Sequence, residues 1–366
     1  MKDFSGILEI DERSHAGFVR DLSHGLFRKP GDTRIAPHII ALYKLRDGVF
    51  IEGTAVEGKN ESSDVKIVAH INGLTPDEWK AVKDFSRHAV ISPNEWIKLE
   101  SPQSNRSMRV VDLFCPVGKG QRALIVSPPK AGKTMLMQQL AHAVSANHPE
   151  IVVLVLLVDE RPEEVTDMRR SINGEVFASS SDSERGSQVR LAQLVLEYAK
   201  RKVETGKDVV LLLDSLTRLG RAFNIHQKSS GRTMSGGVDI RALEIPKRIF
   251  GAARKCEHSG SLTIVATALI ETNSRMDELI FQEFKGTGNM ELVLSRDLAN
   301  ERIFPAIDLN ASGTRREELL FGSMTPAYQN LRRSLSRKSP RDAMVAAMKL
   351  LEQYPTNEKL LQKFSS

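Results

Sequence analysis

Residues 127–134, with the sequence SPPKAGKT, combine the residue types that bind the phosphates of a nucleotide. They follow the apolar run 123–126 and precede a helical pattern, which is the order of strand, loop and helix that such a loop requires. Unpaired backbone N–H groups and the helix dipole favour an anion at a helix start. Gly132 lets the backbone curl tightly, Lys133 supplies a charge for the β- and γ-phosphates, and the Thr134 hydroxyl can ligate Mg²⁺. The order favours a phosphate-binding loop over a chance Gly-Lys-Thr in a surface turn.

The first half of this loop departs from the usual pattern, because Ser127 stands where that pattern begins with Gly. Pro128 and Pro129 carry no backbone N–H group, so they cannot donate to a phosphate. We therefore expect the later amides, from Ala131 to Thr134, to make most of the phosphate contacts.

Two apolar runs end in carboxylates that can complete such a site. The run 151–158 precedes Asp159 and Glu160, and the run 209–213 precedes Asp214. Open α/β sheets place their chemistry at the carboxyl ends of the strands. Asp214 fits the acid that holds Mg²⁺ near the phosphates, and Glu160 fits the group that orients and deprotonates an attacking water. The alternative for each acid is that it caps the next helix.

Candidate cations lie later in the chain. Arg302 and Arg315 can stabilise the charge that builds on a transferred phosphoryl group, and the sequence leaves open whether they act in their own subunit or in a neighbour.

Two polar, glycine-bearing or turn-rich loops, 229–237 and 271–276, each carry one arginine. They suit contacts to a nucleic-acid backbone, or they are plain surface turns. The basic run 331–341 favours a solvated helix face over a nucleic-acid contact.

The surrounding elements divide the chain into three parts. Residues 1–72 contain short strands and turn signals that predict a small β-barrel. Residues 73–108 form a connector, in which Thr75 to Glu78 has the spacing of a capping box with Pro at the first helical position. Residues 109–366 alternate strands and helices, which predicts an α/β domain with a mainly parallel sheet. A further buried strand is expected over 261–267.

The predicted barrel carries few aromatic residues and a basic stripe. Such a barrel beside a nucleotide site can bind single-stranded nucleic acid by base stacking and phosphate contacts. Equally, the aromatics can be core residues and the charges a solvated face. The aromatic candidates are Phe18, Phe27, Tyr43 and Phe50, and the basic ones are Arg20, Arg28, Lys29 and Arg34.

Bulk composition narrows the class of protein. The 366 residues include 52 Lys and Arg against 46 Asp and Glu, a net charge of +6 that is compatible with a polyanionic partner. Cys115 and Cys256 match no metal or redox spacing, which is typical of reduced thiols in a cytosolic protein. The N-terminus lacks the apolar stretch of a signal peptide, and the longest apolar run, 151–158, is too short to span a bilayer. We expect a cytoplasmic protein with no membrane partner.

With these motifs in place, the segment 109–320 closely resembles the bacterial transcription termination factor Rho family. The Pro-Pro-Lys-Ala-Gly-Lys-Thr form of the loop separates this family from the rotary ATPases and RecA recombinases that share the fold. The resemblance implies a RecA-like P-loop ATPase core preceded by an OB/cold-shock-like β-barrel. The strings that carry it are 126–134, 158–165, 213–218, 283–292, 304–308 and 312–315.

The resemblance also implies an activity and its partners. The family member would be a homohexameric ring that hydrolyses ATP with Mg²⁺. It would translocate 5′ to 3′ along the single-stranded nascent RNA and unwind RNA–DNA hybrids, acting on RNA polymerase to terminate transcription.

Residue roles follow from the resemblance, position by position. Lys133 and Thr134 would bind phosphate and Mg²⁺, Glu160 would be the catalytic carboxylate, and Asp214 the acid beside the metal. Arg315 would be an arginine finger that reaches a neighbour's ATP, assisted by Arg302, and Arg218 would couple the ATP site to RNA. The nucleotide would contact Pro129, Lys130, Ala131, Gly132, Lys133, Thr134, Met135 and Phe304, the last by stacking on adenine. RNA would contact Phe18, Arg34, Arg218, Arg232, Thr233, Gly236, Gly237, Ser274 and Arg275.

The barrel departs from the family pattern at two positions. Ala16 stands where one of two aromatics flanking a Gly is usual, and Arg34 stands where a Tyr is usual.

Three hypotheses for the function of the whole chain follow. The leading one is an RNA-stimulated ATPase that terminates transcription, and the second is a Rho-like paralogue that binds RNA or a protein partner without termination. The third is a rotary or secretion-type ATPase subunit.

Overall fold

The computed structural model describes residues 1–57, 63–101, 105–179, 186–226, 237–239 and 241–365. Within them, the N-terminal strands close into a five-stranded barrel in the order β1–β2–β3–β5–β4. The barrel interior is apolar and includes Leu8, Val19, Ile35, Ile51 and Ile71. Its elements are β1 Lys2–Ile10, β2 Gly17–Arg20, β3 Thr33–Ile35, α1 Pro37–Leu42, β4 Phe50–Glu57 and β5 Ser63–Ile71.

A short connector leads from the barrel to the second part of the chain. It contains α2, Pro76–Ala81, and the short strand β6, Val90–Ile91. The predicted capping box is confirmed, because the Thr75 hydroxyl accepts from the Glu78 N–H and the Glu78 carboxylate accepts from the Thr75 N–H. Trp79 of α2 is buried in the barrel's apolar cluster, so the connector is packed against the barrel.

The second part is a layered α/β core, as the alternating pattern predicted. Its first half runs α3 Arg106–Phe114, β7 Arg122–Ser127, α4 Lys133–Asn147, β8 Val152–Val158, α5 Pro162–Ser171, β9 Glu175–Ser179, α6 Ser187–Glu204, β10 Val209–Asp214 and α7 Leu216–His226. Its second half runs α8 Glu244–Gly251, β11 Arg254–Cys256, β12 Ser261–Leu269, α9 Arg275–Phe284, β13 Met290–Val293, α10 Arg296–Asn300, β14 Gly313–Thr314, α11 Glu318–Phe321, α12 Thr325–Leu335, α13 Pro340–Gln353 and α14 Asn357–Gln362.

The sheet of the core is mainly parallel. Its strand order is β14–β13–β7–β12–β10–β8–β9, with β14 antiparallel at one edge and β11 pairing antiparallel with β12. Alternate residues of β8 pack into two apolar layers: Val153, Val155 and Leu157 on one face, Leu154, Leu156 and Val158 on the other. A strand covered on both faces is apolar throughout, which is why these strands read as continuous apolar runs.

The barrel packs directly on helix α6 of the core. Ile7 and Leu26 are fully buried in the same apolar cluster as residues of α6. Arg190 of α6 donates to the Glu9 carboxylate at 2.8 Å and to the Leu26 carbonyl at 2.8 Å. In the described part of the chain, no helix combines the length and apolarity needed to cross a bilayer.

Candidate nucleotide site and nucleic-acid surface

The 127–134 loop joins β7 to α4, and its geometry depends on Gly132. Gly132 caps α4 with φ +88°, a left-handed conformation that side chains rarely adopt. A Cβ at this position would lie 3.6 Å from the Phe304 ring. The glycine therefore allows the left-handed turn, and the Phe304 ring lies beside it at ordinary van der Waals distance. The helix start that follows presents unpaired N–H groups, the feature that binds phosphate.

The charged end of the loop meets a buried acid. The Lys133 ammonium forms an ion pair with the Asp214 carboxylate, which is only 1% exposed. The Thr267 hydroxyl donates to the same carboxylate oxygen at 2.8 Å. Because β12 lies between β7 and β10, its Thr267 stands between the lysine and the acid in the sheet. The sequence prediction had not singled out Thr267, although a polar residue within a buried apolar strand is a usable signal.

Glu160 lies after β8, beside the β10 strand that carries Asp214. It is 2% exposed, and its Oε1 atom is 2.9 Å from Arg218 Nη1. Its Oε2 atom is buried and has no hydrogen-bond partner among the described residues. Burial raises the pKa of Glu160, an effect opposed by the Arg218 charge and reinforced by Asp214. A buried carboxylate with one uncommitted oxygen is suited to accept a proton from water.

The residues present fit a Mg²⁺ ion bound together with a nucleotide. Among the described residues, no group of three or more His, Cys, Asp or Glu side chains forms a metal site by itself. Mg²⁺ usually keeps several waters and takes one or two protein oxygens plus substrate phosphates. Thr134 and Asp214 supply such oxygens beside the loop. The buried oxygen Oε2 of Glu160 has no described partner, so this edge of the sheet can still accept a hydrogen bond from a water molecule that accompanies the ion.

Phe304 and Met135 are exposed apolar residues that both lie close to the 127–134 loop. Their exposed fractions are 45% and 63%, which is unusual for large apolar side chains. Phe304 lies against Gly132, and Met135 belongs to the first turn of α4. Arg302 precedes Phe304 by two residues and is exposed, with φ +60°.

Arg315 lies at the opposite end of the sheet from its own phosphate loop. Thr314 pairs with Met290, and Met290 pairs with Ala123 at the start of β7. The loop follows the other end of β7, four steps further on at Ser127, so roughly 13 Å of strand separates the two ends at about 3.3 Å per residue. Arg315 is exposed. The structure therefore does not bring it together with Lys133, Asp214 and Glu160.

Helix α7 connects the acid Glu160 to the second polar loop. Near its start, Arg218 contacts Glu160 and donates to the Asp159 carbonyl. One turn later, Arg221 Nε donates to Asp277 Oδ1 at 2.7 Å, and Asp277 is 1% exposed. This second pair could not be predicted from the sequence, because its partners are 56 residues apart in the chain.

The loop prediction for 271–276 is wrong at its end. Arg275 is the first residue of α9 and is exposed, while the Ser274 side chain caps that helix by accepting from the Asp277 N–H. A serine with acidic residues three and four positions later, as at Ser274, Asp277 and Glu278, is a helix start signal that the sequence already contained. In the other loop, Gly237 has φ +77°. Arg232, Thr233 and Gly236 lie outside the described residues.

The barrel carries a groove of about 540 Å³ that is lined by Phe18 and Arg34, two of the residues predicted to bind RNA. Phe18 and Arg34 are directly opposite in the β2–β3 register, and Arg34 lies 3.5 Å from Asp64. Arg28 and Lys29 also line the groove.

One member of the predicted basic stripe is not on the surface. Arg20 is 4% exposed and is enclosed by two acids. Its guanidinium donates to Glu9 and to Asp32. The prediction is wrong for Arg20 because a guanidinium can be buried when its donors are satisfied by carboxylates, which alternation along a strand does not reveal.

The barrel, the parallel sheet, the loop before α4 and the buried acids together define a P-loop ATPase with a RecA-like core. The family model described as "ATP synthase alpha/beta family, nucleotide-binding domain" matches residues 107–314. A solved structure of a prototypical ATPase from the type III secretion system of pathogenic bacteria has the same fold. Its TM-score is 0.61 at 20% identity, and the match covers 76% of this chain and 87% of that one.

Curated relatives narrow this class further. The transcription termination factor Rho of Streptomyces coelicolor is 49% identical over 360 residues, which are 98% of this chain and 85% of the relative. The factor Rho of Streptosporangium roseum is 47% identical over 364 residues, 99% of this chain and 92% of the relative. The chain belongs to the transcription termination factor Rho family.

Proposed function

We propose that this protein terminates transcription by hydrolysing ATP while it pulls single-stranded RNA through a ring of six copies. Membership of the Rho family supports the activity, and the loop at 127–134 with its two buried acids supports ATP hydrolysis. The observation that carries the proposal is the joint position of Lys133, Asp214 and Glu160 at one edge of the sheet. The reaction is an in-line transfer of the γ-phosphoryl group to water, which is governed by positioning and charge.

Each residue at this edge has a role in the proposal. The amides from Ala131 to Thr134 and the Lys133 ammonium bind the phosphates, and the Thr134 hydroxyl and Asp214 hold Mg²⁺, which neutralises charge on the phosphates when bound. Glu160 accepts a proton from the attacking water through its unpartnered oxygen. Phe304 stacks on the base beside Met135, for which their exposed apolar surface is suited.

In the proposal, Arg315 completes the site of a neighbouring subunit. A cation is required where charge builds on the transferred group, and Arg315 lies too far along the sheet from its own loop to supply it. In a ring of identical subunits, one heterologous interface is repeated, so the Arg315 end of one subunit's sheet can face the phosphate loop of the next subunit. Arg302, beside Phe304, assists at the same nucleotide.

Helix α7 transmits hydrolysis to RNA in this scheme. Arg218 senses the state of Glu160, and Arg221 ties the other side of the helix to Asp277, two residues from Arg275. Arg275 and the 229–237 loop, with Arg232, grip the RNA backbone in the channel, together with Ser274, Thr233, Gly236 and Gly237.

The pH dependence of hydrolysis tests the pairing of Arg218 with Glu160. Because the Arg218 charge lowers the pKa of Glu160, Arg218→Gln should raise that pKa further. The acid limb of single-turnover ATP hydrolysis then moves to higher pH, since Glu160 is protonated over a wider range. Arg170→Gln on the exposed face of α5 serves as the matched control. An unchanged acid limb in Arg218→Gln would mean that Glu160 is not the titrating base.

The barrel groove is proposed to hold the RNA during loading. Phe18→Ala should weaken binding of a short single-stranded RNA by about 1–3 kcal/mol, the usual contribution of one stacked base. Phe27→Ala is the matched control, since Phe27 is an exposed aromatic residue of the same part of the chain but does not line the groove, whereas Phe18 is half-buried there. Fluorescence anisotropy with labelled RNA measures both. Equal losses in the two variants would argue against the groove.

A second candidate function is a Rho-like protein that binds RNA or a protein partner without terminating transcription. The replacement of aromatic positions by Ala16 and Arg34 favours it, since Ala16 is 2% exposed and offers no stacking surface. A termination assay with purified RNA polymerase on a template with a long unstructured transcript separates the two functions. Truncated transcripts that require ATP and disappear with Lys133→Ala support the proposal, whereas full-length transcripts alone favour the second candidate.

A further inference from the structure

A single guanidinium in the C-terminal helices ties together three segments of the core. Arg332, on α12, donates from Nη1 to the carbonyls of Leu309 and Ser312, at 3.2 and 2.9 Å. From Nη2 it donates to the carbonyl of Phe114, the last residue of α3, at 2.5 Å. The basic run 331–341 was expected to be a solvated helix face, and Arg332 does not behave in that way.

Arg332 hydrogen-bonds to the chain just before Arg315 and faces an acid just after it. Ser312 precedes Arg315 by three residues, and the Glu317 carboxylate, two residues after it, lies 3.9 Å from Arg332. Between them, the Arg315 N–H donates to the Asn289 carbonyl at 2.8 Å. Arg315 and Arg332 both line a pocket of about 560 Å³ at this edge of the sheet. The main chain is therefore held three residues before Arg315 by Arg332 and at Arg315 by Asn289, and the Arg332 charge attracts the Glu317 carboxylate that follows.

The chemistry of these contacts requires an arginine. The last carbonyls of a helix have no partner within the helix, and a cation there is favoured by the helix dipole. The planar guanidinium of Arg332 also lies over the Phe114 ring, 5.5 Å from its centre. A lysine has one charged atom on a flexible stem, so it cannot reach all three carbonyls at once in this fixed geometry.

We infer that Arg332 is a positioning residue for ATP hydrolysis, which sets where Arg315 stands relative to the nucleotide of the neighbouring subunit. This inference rests on the proposed function, in which Arg315 acts across the subunit boundary. A catalytic group displaced by about 1 Å can cost about 10²-fold in rate, and the hydrogen bonds from Arg332 to the chain just before Arg315 oppose such a displacement.

Steady-state kinetics of the full-length protein with saturating RNA provides the test. Arg332→Ala should lower kcat by about 10- to 100-fold with little change in the KM for ATP, because the nucleotide itself is bound by another surface. Arg332→Lys should recover only part of the loss. Arg333→Ala is the matched control, since Arg333 lies on the same helix, is exposed, and its guanidinium donates to the Asn330 side chain. If Arg332→Ala is poorly folded, the lysine variant carries the comparison.

A double-mutant cycle separates positioning from a general structural role. If Arg332 acts through Arg315, adding Arg332→Ala to Arg315→Ala lowers single-turnover hydrolysis of labelled ATP no further than Arg315→Ala alone. Multiplied losses, or a normal kcat in both Arg332 variants, would overturn the inference. A normal kcat in Arg315→Ala would instead overturn the proposed action across subunits, and the positioning role with it.

Discussion

Replacement of Arg315 by alanine is expected to lower RNA-stimulated ATP turnover by about 10³- to 10⁵-fold, the usual contribution of an arginine finger. ATP binding should remain, because Arg315 lies at the end of the sheet away from the 127–134 loop of its own subunit. Turnover is measured by phosphate release, and nucleotide affinity by binding of a fluorescent ATP analogue. Arg316→Ala controls for loss of one positive charge at the same surface, since Arg316 is the exposed next residue and contacts Ser92.

Mixed rings test the subunit to which Arg315 contributes. A subunit with Arg315→Ala has an intact phosphate loop, and a subunit with Lys133→Ala has an intact Arg315. Where the two kinds of subunit meet, the intact phosphate loop of one can be completed by the intact Arg315 of the other. Under single-turnover conditions each site reacts independently, so these sites should hydrolyse ATP. Equal inactivity of the mixture and of its components would contradict the proposed action across the boundary.

Glu160→Gln is expected to lower kcat by about 10²- to 10⁴-fold, the range for losing a general base. The substitution preserves shape and removes the charge, so ATP affinity should persist while hydrolysis slows. Glu163→Gln is the matched control, because Glu163 is an exposed acid in the first turn of α5, only three residues away. Single-turnover hydrolysis of prebound ATP measures the chemical step without product release.

Glu160→Gln also distinguishes a general base from a residue that only caps helix α5. If Glu160 only stabilises the start of α5, Glu160→Gln would lower the melting temperature and leave the chemical step intact. Because the acid is 2% exposed and one of its oxygens has no described partner, a structural role alone would leave a buried polar atom unsatisfied. We therefore expect the rate, rather than the stability, to change most.

The loop and the acids of the site were accessible from the sequence because their signals are local. A continuous apolar run marks a strand covered on both faces, and a carboxylate directly after it reaches the carboxyl edge of the sheet. Asp214 and Glu160 follow this rule, and Lys133 follows the loop that begins an apolar-faced helix. The barrel was likewise indicated by short alternating strands.

Features that depend on strand order or on distant partners were not accessible. Arg315 could be assigned to its own site or to a neighbour's until the pairing of β14 with β13 and of β13 with β7 fixed its end of the sheet. The burial of Arg20 depends on its contacts with Glu9 and Asp32. The guanidinium of Arg332 donates to the carbonyl of Phe114, which lies 218 residues earlier in the chain. Such contacts leave no periodic pattern in one sequence.

The most direct test of the central claim is the rate of ATP hydrolysis by the purified protein with and without a panel of single-stranded homopolymeric RNAs. We expect at least one RNA to raise the rate, no rate above background with Lys133→Ala, and a normal response with Lys349→Ala, an exposed lysine on α13. Hydrolysis that no RNA in the panel stimulates would show that ATP turnover in this protein is not coupled to RNA.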